Sequence, residues 1–304
     1  MLTSLPTLFL NNLVPILLVA GIGYLLGRWL HVDPRSVSRV VFYALSPFLI
    51  FDLIANSELS NSDFIRIGSF AVVQILTLGI AAWIIGRLLK LERKLFAATL
   101  LTVILINGGN YGLSLNLFAF GETALAHASI YFVVSAIAMY TVGVAIASMG
   151  TMSWKRSLLE LLKTPTIYGV LVGMTFNSLN WELPLFLNRT VSLLSDATIP
   201  SMLLVLGLQL QNTTRSWNFK ALALSASLRL LAGPALAIAT ASIFGLQGVA
   251  RQAGIIEASM PPAVMCTILA TEYDVEPAFV TTVVFVSTLI SPLTLTPLLA
   301  YLGA

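Results

Sequence analysis

The residues that could do chemistry in this sequence are amides, glycines, prolines and isolated carboxylates. Asn107-Gly108-Gly109-Asn110 sets two amides and two glycines inside an apolar run, Pro261-Pro262 interrupts a second run, and Glu257 lies one turn before that pair. Two adjacent glycines cost about 2 kcal/mol of helix propensity relative to alanine, and asparagine competes for its own backbone. Two prolines remove two amide donors and crowd the preceding turn. Each break exposes half-helix ends, with open N–H groups and about half a positive charge at an N-terminus and open carbonyls at a C-terminus. Such ends hold ions, a carboxylate among them. Glu257 and Asp52 are acidic groups in apolar surroundings, where a charge costs about 3 kcal/mol on insertion scales, so either is a candidate proton carrier or ion ligand.

The elements that must position these groups are membrane helices. Of 304 residues, 58% are hydrophobic and 10% charged, with a mean hydropathy of +0.93. A soluble domain of this size carries about 25% charged residues. Apolar tracts long enough to span a bilayer are expected at about 8–30, 37–56, 64–90, 94–119, 124–150, 164–181, 190–211, 219–245, 250–271 and 277–302. The fold class is therefore an all-α membrane protein of ten transmembrane helices. The first tract has no basic residue before Arg28 and no small-residue cleavage site, so it is read as a span rather than a removable signal.

Loop parity places Arg28, Arg35, Arg39, Arg87, Lys90, Arg93, Lys94, Lys155, Arg156, Lys163, Arg215 and Lys220 on one side, and Arg66, Arg189 and Arg251 on the other. By the positive-inside rule both termini are expected outside. Arg229 falls inside span eight, where the simplest reading is snorkelling to the cytoplasmic face. An offset of 153 residues carries Pro47 onto Pro200 and Gly108 onto Pro261. Each half holds five spans, so the second copy (152–304) enters the bilayer inverted relative to the first (1–151), the construction of many secondary transporters. A single break is also what an ordinary kink looks like; the repeat-related pair in spans four and nine points to one shared central site, because a broken helix in hydrocarbon survives only where protein or water meets its freed groups.

Several function classes are excluded or weakened. One cysteine, Cys266, and two histidines allow neither a disulfide nor a Cys/His metal site within the chain. No G-x-x-x-x-G-K-[ST] loop supplies an ATP engine, no catalytic constellation shares a membrane depth, and no cofactor, metal or nucleic acid is expected. Asp52 can alternatively be an interfacial carboxylate beside Asn56, Glu257 can pair with Arg251 or Arg229, and Asp196 can cap the start of span seven.

At these same residues the sequence resembles the auxin efflux carrier family, the bacterial transporters related to the plant PIN carriers. The resemblance runs through Ala258-Ser-Met-Pro-Pro-Ala263 and Thr271-Glu-Tyr-Asp-Val275, through Asn107 to Ser114 and Phe120-Gly-Glu122, and through Leu194-Ser-Asp-Ala197, Leu206-Gly-Leu208 and Pro47 before Phe51. With Ile106 and Ser114 standing where the family often carries proline, Gly108-Gly109 is expected to supply the first break, by bending or by unwinding. The resemblance implies a scaffold of spans 1, 2, 6 and 7 and a transport domain of spans 3–5 and 8–10, working by an elevator-type movement. It implies a substrate site at Asn107, Gly108, Gly109, Asn110, Ser114, Ser135, Tyr140, Met260, Pro261, Pro262 and Ala263, although Ser135 and Tyr140 can equally be interhelical glue. The implied cargo is a small organic anion, an auxin-like aromatic carboxylate or a dicarboxylate, carried across the cell membrane. Asp52, Glu257 and Asp196 are the candidates for proton or sodium coupling, and a homodimer is a further expectation. The alternatives are a sodium- or proton-coupled carrier of the bile-acid or sodium–proton exchanger type, and a ligand-binding membrane sensor.

Overall fold

The computed structural model describes residues 4–56, 59–148, 165–211 and 216–304, and the described chain is helical, with no strand beyond one isolated bridge. Lys155, Arg156, Lys163 and Arg215 of the basic set, and the boundary between residues 151 and 152, lie outside the described residues. In chain order the helices are α1 Leu5–Leu30, α2 Pro34–Ala55, α3 Asn61–Leu88, α4 Arg93–Ile104, α5 Gly108–Ala147, α6 Pro165–Leu179, α7 Leu185–Leu210, α8 Phe219–Ala241, α9 Gly248–Ala258, α10 Met265–Glu272, α11 Pro277–Ile290 and α12 Pro292–Leu302.

Six of these, α1, α2, α3, α5, α7 and α8, are long and apolar enough to cross a membrane, and α11 with α12, bent by 46°, makes a seventh among the described residues. Helices α4, α9 and α10 run 12, 11 and 8 residues. At 1.5 Å per residue none of them reaches across about 30 Å of hydrocarbon by itself. They are short because breaks at 105–107 and 259–264 interrupt them. Helix α5 runs through a corner at Gly121 (φ 77°), which replaces the separate ends expected at 119 and 124.

Local chemistry explains where these helices start and bend. Asp33 caps α2, its carboxylate accepting from the N–H groups of Arg35 (3.2 Å) and Ser36 (3.0 Å) and the Ser36 hydroxyl (2.7 Å). The Ser36 hydroxyl first, and then those N–H groups, hold the Asp33 carboxyl below its usual range. Ser60 and Asp63 form a capping box at α3. Inside the long helices, proline removes a donor and crowds the carbonyl four residues back. The turn ahead of Pro15, Pro47 and Pro234 widens to a π-type turn, at Phe9–Leu13, Val41–Leu45 and Leu228–Ala232. In α2 the Ser46 hydroxyl then donates to the Val41 carbonyl at 2.9 Å.

The closest packing falls within two groups of helices, which also meet where α7 lies against the start of α5 and α1 against α12. Helix α1 lies along α7, and α2 lies along α6 and α7. A Cβ built on Gly207 would stand 1.7 Å from the Ala20 carbonyl oxygen, and one on Gly23 2.1 Å from that of Leu204, so α1 and α7 touch backbone to backbone, as small residues permit in membranes. In the other group α5 packs on α9, α3 on α4 and α5, and α8 and α11 on α4. Buried polar pairs tie it internally, Thr102 to Ser225 (3.0 Å) and Gln74 to Thr240 (2.7 Å).

Candidate functional site

The two breaks meet. After Ile104 the backbone turns extended at Leu105 (φ −94°, ψ 119°), so the chain is unwound there rather than only bent. Ile106 and Pro262 form an antiparallel bridge. The Asn107 N–H donates to the Pro261 carbonyl at 2.8 Å, and the Ala263 N–H to the Leu105 carbonyl at 2.9 Å. Each break thus satisfies part of the backbone that the other frees, which is the condition for irregular chain inside an apolar protein.

Four helix ends converge on this bridge: the C-termini of α4 and α9 and the N-termini of α5 and α10. The C-terminal carbonyls have partners. Val103 accepts from Arg229 Nη1 at 2.8 Å, Ala258 from Arg229 Nη2, Leu101 from the Cys266 thiol at 3.5 Å, and Ile255 from the Ser259 hydroxyl at 2.6 Å. Of the first-turn N–H groups at the N-terminal ends, those of Cys266 and Thr267 donate to the Ala263 and Val264 carbonyls at 3.0 and 2.9 Å, and the rest lack intrahelical acceptors by construction. Gly109 and Asn110 of α5, and Val264 and Met265 at the head of α10, line one cavity of about 350 Å³. Asn107 lines it too; its Nδ2 is buried without a hydrogen-bond partner, although an amide nitrogen can donate twice.

The cavity runs from this floor along α2 and α7 to a mouth at Arg35, Arg39 and Glu272, with Phe42, Phe132, Met139, Tyr140, Met202 and Ile268 among its apolar walls. Its polar wall groups include Ser46, Ser135 and Gln209; Ser135 Oγ has no partner, and Tyr140 packs against Phe42 with ring centroids 5.9 Å apart. Of the residues expected at the site, Asn107, Gly109, Asn110, Ser135, Tyr140 and Ala263 line the cavity. Gly108, Ser114, Met260, Pro261 and Pro262 are buried behind its lining; Met260 belongs to the apolar core, and the Ser114 hydroxyl donates to the Asn110 carbonyl at 3.4 Å.

Glu257 sits behind the floor, fully buried. Asn116 Nδ2 donates to one oxygen at 3.2 Å, while the other oxygen and Asn116 Oδ1 have no partner. A Cβ on Gly108 would fall 2.5 Å from Glu257 Oε2 and one on Gly112 2.4 Å from Oε1, so those glycines make room for the carboxylate against the positive end of α5. The expected pairing with Arg251 or Arg229 is absent. Arg251 bonds to the Tyr301 hydroxyl at 2.9 Å, and among the described residues the ion pair found is Lys94 with Asp274, on the surface. Nor does Arg229 snorkel: it is 1% exposed, because carbonyl ends lie closer to it than water does. Asp52 is half-buried near the end of α2, taking a 2.7 Å bond from Asn56, away from the cavity. Asp196 does not cap a helix. Helix α7 begins at Leu185, and Asp196 is exposed well inside it.

Sequence reading missed the α2 and α7 walls. Pro47 marked a special turn in α2, yet the wall residues Phe42, Ser46, Met202 and Val205 carry no motif of their own.

A multi-helix protein whose polar centre is built on two broken helices has the anatomy of a membrane carrier. Comparison with known proteins agrees. The family profile described as "Membrane transport protein" matches residues 8–155 and 148–299. An uncharacterized transporter of Methanothermobacter thermautotrophicus is 25% identical over 286 residues, covering 92% of this chain and 94% of its own length. A second, from Methanocaldococcus jannaschii, is 23% identical over 286 residues, covering 91% and 93%. Auxin efflux carrier component 1 of Arabidopsis thaliana is 31% identical over 151 residues, 47% of this chain and 24% of the plant protein. The chain belongs to the auxin efflux carrier family, a family of multi-pass membrane transporters rather than enzymes.

Proposed function

We propose that this protein is a secondary carrier of small organic anions that binds its cargo at the crossing of the two broken helices. The observation that carries this reading is the convergence of two helix N-termini and the unpartnered Asn107 amide on one cavity with apolar walls. Open N–H groups and half-helix charge favour a carboxylate, and the aromatic and aliphatic walls accept an apolar body such as that of an auxin-like acid. The mouth sets Arg35 and Arg39 against Glu272, and the surplus positive charge attracts an anion on the way in.

The remaining architecture follows the same reading. Ten spans in two inverted five-helix repeats, with both termini outside, put the basic mouth on the cytoplasmic face of the cell membrane. The group formed by α1, α2, α6 and α7 serves as scaffold, and the group around the crossing slides against it in an elevator movement. Its support is the packing contrast, since the cavity lies between the two groups. Glu257 is the coupling candidate this arrangement favours over Asp52 and Asp196: a buried carboxylate with an unpartnered oxygen and no counter-cation among the described residues is matched by a proton or a bound cation.

The test is a thermal-shift screen of purified protein against aromatic monocarboxylates and dicarboxylates, since a ligand of the folded site stabilises by mass action. Hydrogen bonds to a charged ligand contribute about 1.5–3 kcal/mol, so Asn107→Ala should weaken the selected acid roughly ten- to a hundredfold. Unchanged affinity in a well-folded Asn107→Ala protein would place the site elsewhere. Counterflow in proteoliposomes separates carrier from sensor, because only a carrier exchanges label.

A further inference from the structure

Arg229 is the charged group that the binding reading leaves unused. It is 1% exposed and sits in the widened turn Leu228–Ala232 of α8. Its guanidinium donates to Val103 and Ala258, the carbonyl ends of α4 and α9, and among the described residues no carboxylate lies within ion-pair reach. Gly233 leaves space for this approach: a Cβ there would stand 3.3 Å from the Ala258 oxygen and 3.4 Å from Arg229 Nη2. A lone buried cation is costly, so its retention calls for a job that two neutral hydrogen-bond donors would not perform.

The electrostatics of the crossing supply that job. Each helix end carries about half an elementary charge. Two positive ends and two negative ends meet at the bridge, and left alone they largely cancel at the cavity. Arg229 is absent from the cavity lining and covers both negative ends from behind. The full charge of Arg229 also offsets the Glu257 carboxylate that lies against the start of α5, so the positive ends of α5 and α10 keep their pull on whatever occupies the cavity.

We propose that Arg229 is a positioning residue that makes the crossing selective for anions: by holding the C-terminal carbonyls of α4 and α9 it fixes the bridge and leaves the site with a net positive field. It does not touch the cargo. The inference rests on the anion-carrier reading and adds a specificity determinant to it.

The experiment compares indole-3-acetate with its uncharged isostere indole-3-acetamide, measuring affinity for purified wild-type, Arg229→Lys and Arg229→Met proteins in detergent. Wild type is expected to prefer the carboxylate. In Arg229→Met that preference falls about tenfold while the affinity for the amide stays within about twofold, and Arg229→Lys, which keeps the charge but cannot fork to both carbonyls, retains most of it. A merely structural role would weaken both ligands alike in both variants, and that result overturns the inference. Should Arg229→Met fail to fold, Arg229→Lys decides alone: a retained preference with unchanged amide affinity supports the inference, and parallel loss of both ligands overturns it. Wild-type protein that binds both compounds equally also overturns it while leaving a carrier in place. Where wild type binds neither compound, the acid selected by the thermal-shift screen and its amide take their place, and binding of no acid in that screen overturns the carrier reading itself and the inference with it.

Discussion

Glycine and proline do opposite work in two regions of this molecule. Along α1, α2 and α7 they sit inside continuous helices: Pro15 and Pro47 are absorbed by a widened turn, Pro200 is carried within α7, and Gly23 and Gly207 bring two backbones into contact. At the crossing Gly108-Gly109 and Pro261-Pro262 end their helices, and the freed groups bond to each other across the bridge or face the cavity. A break therefore becomes a site only where a second break lies against it. A solitary one is repaired within its own helix.

The largest effect should come from the packed region. Gly207→Leu puts a side chain where its first carbon already lies 1.7 Å from a backbone carbonyl, and backbone cannot yield as a flexible side chain does. Overpacking in a tight interface costs about 1–3 kcal/mol or more, so this variant should lose its monodisperse peak in detergent and most of its Tm. Gly109→Leu breaks the comparison from the other side. Its nearest neighbour is the Phe132 ring, at 2.8 Å, beside the cavity. That protein should fold with a modest drop in Tm and lose ligand binding because the cavity is filled. Equal loss of folding in both would mean that the crossing is packed as rigidly as the α1–α7 seam.

The next effect separates function from stability within the crossing. Replacing both Pro261 and Pro262 with alanine returns two N–H donors and allows α9 and α10 to re-form intrahelical bonds. Stability should hold or rise, while transport in proteoliposomes is lost because the N-terminal end of α10 closes. Wild-type transport by a well-folded double variant would reduce this break to a kink. The same pair of substitutions shows what was legible beforehand. Gly-Gly flanked by asparagines and a Pro-Pro pair are strong local signals that predicted both breaks, and composition with long apolar tracts predicted the helical membrane class. The partner that each break finds is a long-range fact: nothing near Asn107 encodes Pro261 as its acceptor, and nothing near Arg229 names Val103 and Ala258. Polar residues inside apolar tracts reveal that burial is costly, but not what offsets the cost. That is why Arg229 read as snorkelling and Asp196 as a coupling group or a cap, and why the motif-free α2 and α7 walls of the cavity went unread.

The smallest effect on affinity, and the sharpest on mechanism, concerns the two carboxylates. Asp52 is half-buried and holds a 2.7 Å bond from Asn56 near a helix end, where water and that amide already stabilise a charge. Glu257 is fully buried behind the cavity floor, with Asn116 as its single side-chain donor and one oxygen unpartnered. Removing a charge matters to coupling only where the protein leaves that charge for an ion to match. Uptake of the selected acid, measured with and without sodium and from mildly acid to neutral pH, should therefore keep its wild-type ion dependence in Asp52→Asn and become indifferent to pH or sodium in Glu257→Gln. The neutral amide keeps the size of Glu257 against Gly108 and Gly112, so the floor of the cavity should keep its shape and the cargo its site. If Glu257→Gln retains the full ion dependence of the wild type, the coupling group lies outside the crossing; wild-type uptake that is itself indifferent to pH and sodium would make the protein a uniporter.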